Sequence, residues 1–126
     1  MAAENVLLVE DNEDNLQLVR FLLERDGYTV TAAHNGREGL ELARKVLPQL
    51  ILMDLSLPEI DGWEAAQELK ADPRTAHIPL LALTAHTLPG DRKRALSMGF
   101  DGYISKPIDV GKFSENISKA ILIRKG

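Results

Sequence analysis

The residues of this chain that could do chemistry stand at the downstream ends of separate apolar runs. They are two adjacent acids, a third acid, a hydroxyl and an ammonium: Glu10, Asp11, Asp54, Thr84 and Lys106. If the apolar runs are parallel strands of one sheet, their carboxyl ends meet at one edge, where open α/β sheets bind ligands. All five side chains would then share a single crevice.

The chemistry of such a crevice is that of a divalent cation and a phosphoryl group. Carboxylates brought together repel one another and are costly to desolvate unless a cation offsets their charge. Oxygen ligands suit Mg²⁺, which keeps waters that a phosphoryl oxygen can replace. With its charge screened, Asp54 could attack a phosphoryl donor and form an acyl phosphate. Lys106 would neutralise one phosphoryl oxygen, and the Thr84 hydroxyl would donate a hydrogen bond to another.

Each of these residues also has a structural explanation when it is taken alone. An acid after a strand is commonly a helix cap, Thr84 is an ordinary β-branched strand residue, and Lys106 is an ordinary surface charge. All of these explanations would have to coincide at the same edge. The pattern therefore favours Mg²⁺-dependent phosphorylation of the protein itself.

The elements that must position these residues follow from apolar runs and breakers. Five runs are typical of strands: 5–9, 28–32, 49–53, 80–83 and 102–105. Apolar residues recur at helical spacing between and after them, in the sets Leu16/Val19/Leu22/Leu23, Leu40/Ala43/Val46/Leu47, Trp63/Ala66/Leu69, Ala95/Met98 and Phe113/Ile117/Ala120/Ile121. The last helix is predicted over 110–124. Strict strand and helix alternation indicates a parallel sheet covered by helices on both faces, and we expect one domain over residues 1–126.

Composition excludes several classes of function. The net charge of -4, from 19 acidic and 15 basic residues, argues against a surface that tracks nucleic-acid phosphates. No apolar segment approaches the length of a membrane span. The chain has no cysteine, which excludes disulfides and thiolate metal sites, and no leader pattern is visible at its start. A cytoplasmic location is the expectation.

The sequence strongly resembles the receiver domains of bacterial two-component response regulators. The motifs that carry the resemblance are Val6-Leu7-Leu8-Val9-Glu10-Asp11, Met53-Asp54-Leu55-Ser56-Leu57-Pro58, Asp61-Gly62, Leu83-Thr84-Ala85 and Tyr103-Ile104-Ser105-Lys106-Pro107. Within the family, the chain is most similar to single-domain cell-cycle receivers and to the receivers of hybrid histidine kinases. The resemblance implies a flavodoxin-like, doubly wound (βα)5 fold with a five-stranded parallel sheet in the order 2-1-3-4-5.

The resemblance also implies roles for individual residues. Asp54 would be the phosphoacceptor and, together with Asp11, a direct Mg²⁺ ligand. Glu10 would bind the metal through a water, and Ser56 through its backbone carbonyl. Thr84 and Lys106 would bind the phosphoryl group. Thr84 and Tyr103 would form a switch pair that reshapes the surface of helix four, strand five and helix five, and the bond before Pro107 would be cis.

Two further positions influence the lifetime of the phosphoryl group in this family. Ser56 is small and neutral there. His86 could order or exclude the attacking water, and it could equally be an exposed histidine with no role.

The implied partners are a phosphodonor and a downstream protein target. The donor would be a sensor histidine kinase or a histidine phosphotransfer protein that docks near the first helix and the loop after strand five. The candidate contacts are Asn15, Leu18, Leu22, Pro107 and Ile108. Leu18 falls outside the apolar stripe of its helix, which predicts an exposed side chain. No turnover of an external substrate is expected.

Other readings of the same residues compete with this one. A pseudo-receiver that keeps the fold but is never phosphorylated, and a receiver fragment of a larger hybrid kinase, both stay open. A haloacid-dehalogenase-type phosphatase would need a second Asp where Ser56 stands. A calcium loop that begins at Asp11 fails, because Leu16 and Leu22 occupy the positions of its glycine and its bidentate glutamate. Asn12 or Asp14 is better read as the cap of the first helix.

Overall fold

Strands and helices alternate along the whole of the described chain. We analysed a computed structural model, which describes residues 4–55, 62–84 and 89–125. The elements in these residues are β1 Asn5–Val9, α1 Glu13–Arg25, β2 Thr29–Ala33, α2 Gly36–Val46, β3 Leu50–Asp54, α3 Gly62–Ala71, β4 Leu80–Thr84, α4 Pro89–Ser97, β5 Gly102–Ser105 and α5 Val110–Lys125. The predicted alternation is confirmed. No helix among these residues is long and apolar enough to cross a bilayer.

The five strands form one parallel sheet in the order β2-β1-β3-β4-β5. This order confirms the doubly wound fold that the resemblance implied. All residues of the two central strands β3 and β4 are buried, as expected for strands covered by helices on both faces. Because every strand runs in the same direction, all five carboxyl ends lie along one edge of the sheet.

Two apolar layers flank the sheet. The first contains residues of α2, α3 and α4 and one face of the strands, with Leu7, Ile51 and Met53 among its members. The second contains residues of α1 and α5 and the opposite face, with Leu8 and Phe113 among its members. Alternate strand residues enter opposite layers, because side chains along a strand point to opposite faces. The sheet is therefore held rigidly from both sides.

The α1 helix follows its sequence pattern closely. Leu16, Val19, Leu22 and Leu23 are all buried. The Asn12 side chain accepts a hydrogen bond from the Asn15 backbone N–H at 3.0 Å and so caps the helix. This cap fixes where the chain leaves β1 and turns into α1.

The strand and helix bounds differ from the predicted ones by about one residue. β2 and β3 each begin one residue later than predicted, and Asp54 and Thr84 are the last residues of β3 and β4. The prediction that Leu47 belongs to the buried stripe of α2 is wrong. Leu47 caps the helix with a left-handed φ of 50° and is 48% exposed.

Candidate functional site

The carboxyl edge of the sheet brings three chemical groups into direct contact. Glu10 follows β1, Asp54 ends β3, and Lys106 follows β5. Nζ of Lys106 lies 2.8 Å from Oε1 of Glu10 and 3.1 Å from Oδ2 of Asp54. Both carboxylates are buried, and the lysine side chain is largely covered. The ammonium therefore bridges two acids that lie on different strands.

Three carboxylates at this edge are close enough to hold one cation. Glu10, Asp11 and Asp54 each offer an oxygen, and these oxygens lie within 4.8 Å of one another. Asp11 is exposed, whereas the other two are buried, so the cluster opens to solvent on one side. The donor set consists of oxygen only, which suits Mg²⁺ or Ca²⁺ rather than a metal that prefers nitrogen or sulfur ligands. The residues present fit a hard divalent cation.

Glu10 is buried next to another negatively charged group, the Asp54 carboxylate. Burial, followed by the hydrogen bond with Asp54, raises the pKa of Glu10 to about 7 from its ordinary value of 4.5. The hydrogen bond from Lys106 and the Asn12 backbone N–H, which donates to Oε2 at 3.2 Å, act in the opposite direction. One lysine thus offsets the two buried carboxylates only in part, and a second cation would be favourable here.

The pKa of Lys106 is raised in the same cluster. Burial by itself disfavours the ammonium, but the hydrogen bond to Glu10 and the negative charge of Asp54 outweigh it. Lys106 therefore stays protonated at neutral pH. A permanent positive charge next to Asp54 is what an incoming anionic group requires.

Thr84 lies beside Lys106 along the same edge. Its side chain is buried, and its carbonyl oxygen accepts a hydrogen bond from the Lys106 backbone N–H at 2.7 Å. The peptide bond that joins Lys106 to Pro107 is cis. Tyr103 lies on the neighbouring strand, opposite Ala82 in the β4–β5 register, and packs half-buried against the first apolar layer.

Two of the predicted residues, Ser56 and His86, lie outside the described residues, and their proposed influence on rates stays a prediction. The five groups predicted to do chemistry, Glu10, Asp11, Asp54, Thr84 and Lys106, lie at one edge of the sheet.

Two of the docking residues predicted on α1, Leu18 and Leu22, differ in their exposure. Leu18 is 41% exposed, so its predicted exposure is confirmed. The prediction that Leu22 is a contact residue is wrong, because it is only 2% exposed and belongs to the second apolar layer. Phe21, which lies three residues after Leu18, is 62% exposed and was missed. The same stripe that placed Leu18 outside the core could have identified it, because residues three apart share a helix face.

The direct Glu10–Lys106 ion pair was also missed by sequence reasoning. The resemblance assigned Glu10 only to the metal and Lys106 only to the phosphoryl group. The available signal was that Glu10 directly follows a continuously apolar strand, because a carboxylate buried in that way needs a charged partner.

Comparison with known proteins agrees with this geometry. Residues 6–118 match the family model described as "Response regulator receiver domain". The polar-differentiation response regulator DivK of Brucella anthropi is 47% identical over 114 residues, which cover 90% of this chain and 93% of that protein. The DivK of Brucella ovis is 46% identical over the same shares.

Solved structures agree as well. The receiver domain of the sensor histidine kinase PA1611 from Pseudomonas aeruginosa is 34% identical, with a TM-score of 0.88 and coverage of 95% of this chain and 98% of that one. That structure has a magnesium ion coordinated in its active-site cleft. The chemotaxis protein CheY4 of Vibrio cholerae is 28% identical with a TM-score of 0.88, and the match covers 94% of this chain and 99% of that one.

Proposed function

Because this chain belongs to the response regulator receiver domain family, we propose that it receives a phosphoryl group on Asp54 in two-component signalling. The observation that carries the proposal is the position of Asp54. Asp54 is the last residue of β3. Its carboxylate lies 3.1 Å from Nζ of Lys106 and within 4.8 Å of oxygens of two further carboxylates. A nucleophile, a cation site and a fixed ammonium thus meet at one point.

The reaction that we propose is an in-line transfer between two proteins. A carboxylate oxygen of Asp54 attacks the phosphorus of a phosphohistidine, the P–O bond forms, and the P–N bond to the imidazole breaks. A Mg²⁺ ion held by Glu10, Asp11, Asp54 and the Ser56 backbone carbonyl would supply the positive charge that lets the anionic donor approach.

The chain's own residues then hold the product. The Lys106 ammonium, already at hydrogen-bond distance from Asp54, would pair with a phosphoryl oxygen. The Thr84 hydroxyl would donate to another oxygen, and Tyr103 would change its packing in response. We propose that this shifts the population between two arrangements of α4, β5 and α5, which a downstream protein distinguishes.

We further propose that the phosphodonor is a sensor histidine kinase or a histidine phosphotransfer protein and that it contacts α1. Leu18 and Phe21 support this, since they form an exposed apolar pair on that helix. Pro107, which is exposed, and the half-buried Asn15 and Ile108 are the other proposed contacts. We also propose a cytoplasmic location, with which the cysteine-free composition agrees.

Labelling with a small phosphodonor tests the proposal. Wild-type protein and the D54N variant are incubated with acetyl phosphate and Mg²⁺, and intact masses are compared. We expect a gain of about 80 Da for the wild type, which is lost in D54N and in the presence of EDTA. An unlabelled wild type, under conditions in which a known receiver is labelled, would instead favour a pseudo-receiver that acts only as a binding module.

The same preparation addresses the enzyme alternative. We propose that the protein turns over no external phosphoester. A receiver domain catalyses only its own phosphorylation and dephosphorylation. Sustained hydrolysis of p-nitrophenyl phosphate that disappears in D54N would contradict this.

A further inference from the structure

The part of helix α4 whose side chains the structure describes contributes little to the apolar core. Of its side chains that the structure describes, residues 93–97, only Ala95 is buried. Lys93, Leu96 and Ser97 are exposed. This part of the helix is easily displaced, because tertiary packing supplies most of the stability of short helices. Contacts between α4 and its neighbouring elements therefore contribute strongly to the position of the helix.

One such contact joins α4 to α3. The guanidinium carbon of Arg94 lies 4.3 Å from the ring centroid of Trp63, within the range of a cation–π interaction. Trp63 in turn meets Phe100 edge to face, with ring centroids 5.9 Å apart and an interplanar angle of 90°. Gln67 on α3 also reaches the sulfur of Met98, at 3.8 Å. We call Arg94, Trp63 and Phe100 the α3–α4 brace.

The brace connects the segments that respond to phosphorylation in the mechanism above. Helix α4 is the next helix after Thr84, at the end of β4. Phe100 lies three residues before Tyr103, the other member of the proposed switch pair. Trp63 lies in the first turn of α3, the next helix after Asp54. A movement of α4 relative to α3 would change the distance between Arg94 and Trp63.

We propose that the α3–α4 brace holds α4 in its unphosphorylated position and that Arg94 and Trp63 are positioning residues that set how readily the domain switches. The proposal rests on the function proposed above. Nζ of Lys106 pairs directly with the Asp54 carboxylate at 3.1 Å, which is the arrangement expected when Asp54 is not phosphorylated, and we therefore assign the stacked arrangement to that state. A contact that is made in one state only makes the other state harder to reach by its full free energy.

The size of the effect follows from the contact. A cation–π interaction at an exposed site changes an equilibrium constant by about two- to fivefold. If phosphorylation breaks the stack, a variant without it should bind a phosphoryl mimic more tightly by the same factor. A contact that is merely structural and present in both states would leave that affinity unchanged.

Calorimetric titration with beryllofluoride and Mg²⁺, a mimic of aspartyl phosphate, tests this. We expect the Kd of R94Q to be about two- to fivefold lower than that of the wild type. R94K, which retains the charge but stacks less well, should fall between them. The matched control is K93Q, which removes a positive charge from the neighbouring exposed position and should bind like the wild type. An R94Q affinity equal to or weaker than wild type would overturn the proposal.

A double-mutant cycle shows whether Arg94 acts through the ring. W63L removes the aromatic face but retains apolar bulk. In the W63L background, R94Q should leave the Kd of beryllofluoride unchanged. If R94Q tightens binding equally in both backgrounds, Arg94 does not act through Trp63 and the proposed brace is wrong.

The single tryptophan of the chain provides a second readout. Beryllofluoride should change the emission of Trp63 in the wild type and change it much less in R94Q, where the stack is already lost. Equal changes in the two proteins would contradict the brace. The function and the brace fail in different ways: a wild type that binds no beryllofluoride contradicts both, whereas normal binding that is unaffected by R94Q contradicts the brace alone.

Discussion

Lys106 links the two buried carboxylates, Glu10 and Asp54, with distances of 2.8 and 3.1 Å. Its ammonium lowers the repulsion between them, and in the function that we propose it also pairs with a phosphoryl oxygen. Removal of the lysine should therefore change the affinity for a divalent cation and the affinity for a phosphoryl group in opposite directions. The acidic cluster becomes more negative and attracts a divalent cation more strongly, whereas the phosphoryl group loses a partner.

The first prediction separates these tasks with K106Q. We expect Mg²⁺ to bind several-fold more tightly and beryllofluoride about tenfold more weakly than in the wild type, because a charge-assisted hydrogen bond is lost. Calorimetric titration measures both affinities. K112Q, which removes an exposed lysine from the first turn of α5, is the control and should change neither. Weaker binding of both ligands to K106Q would contradict this account of Lys106.

The second prediction concerns the dependence of stability on pH. The Glu10 carboxyl keeps its proton up to a pKa of about 7 in the folded protein, against 4.5 ordinarily. Between these values the folded state binds more protons than the unfolded state, so stability falls as pH rises from about 4.5 to 7. Above about pH 7 the full cost of the ionised carboxylate is present, on the order of a few kcal/mol.

Urea unfolding in EDTA at pH 5 and pH 8 measures this cost. E10Q carries no ionisable group at this position, so its stability should fall less between the two values, and at pH 8 it should exceed the wild type. E41Q, at an exposed position on α2, should follow the wild type. An E10Q variant that is less stable than the wild type at pH 8 would mean that the ion pair with Lys106 outweighs the burial of Glu10.

At the end of α2, the backbone conformation is unfavourable for the residue that adopts it. Leu47 has a φ of 50° and half of its side chain is exposed. Left-handed backbone costs about 1 to 2 kcal/mol for a residue with a Cβ, and glycine is the usual residue at this position of a helix.

The third prediction is that L47G stabilises the protein by about 0.5 to 1 kcal/mol, after the loss of the half-buried side chain is included. L96G is a matched control, because Leu96 is also 48% exposed but lies inside α4. Glycine should destabilise there by about 1 kcal/mol. Chemical unfolding compares the two variants, and a destabilised L47G would show that the Leu47 side chain contributes more than its backbone costs.

The elements also show what sequence reasoning can and cannot supply. Continuous apolar runs and helical stripes placed every strand and helix, because periodicity reports which faces are buried. Leu47 continues the apolar spacing of α2 but caps the helix in a left-handed conformation, which could not be predicted because apolar spacing contains no information on φ. The α3–α4 brace was not predicted, because Trp63 and Arg94 lie 31 positions apart and periodicity reports only neighbours on one element.

Some features of the site can be predicted from the sequence, and others cannot. The convergence of Glu10, Asp54 and Lys106 followed from strand ends and the direction of a parallel sheet. That Glu10 bonds directly to Lys106 depends on side-chain reach past β3 and β4, which separate β1 from β5, and no local pattern contains this information. The prediction of Leu22 as a docking residue is wrong because Leu22 belongs to the apolar stripe of α1 and lies in the core.

Over the whole molecule, the proposed docking of a phosphodonor on the exposed residues Leu18 and Phe21 can be tested by comparing two kinds of donor. A protein donor must contact the surface of the domain, whereas a small donor needs only the crevice. The fourth prediction is that L18E lowers the rate of phosphotransfer from the histidine kinase that phosphorylates the wild type fastest by about tenfold. Labelling by acetyl phosphate should be unchanged.

The control for L18E is L47E, since Leu47 has similar exposure and lies at the end of α2, away from the carboxyl edge of the sheet. Its rates with both donors should equal those of the wild type. If L18E transfers at the wild-type rate from the kinase, the donor does not dock on this face of α1.

We propose that one carboxylate, Asp54, carries the phosphoryl group. Reduction of the phosphorylated protein with borohydride converts an aspartyl phosphate to homoserine, and peptide mass spectrometry then identifies the position. We expect homoserine at position 54 in the Mg²⁺-treated wild type, and aspartate there when Mg²⁺ is withheld. Homoserine at position 11 in place of position 54, or at no position in a protein that has gained the mass of a phosphoryl group, would contradict it.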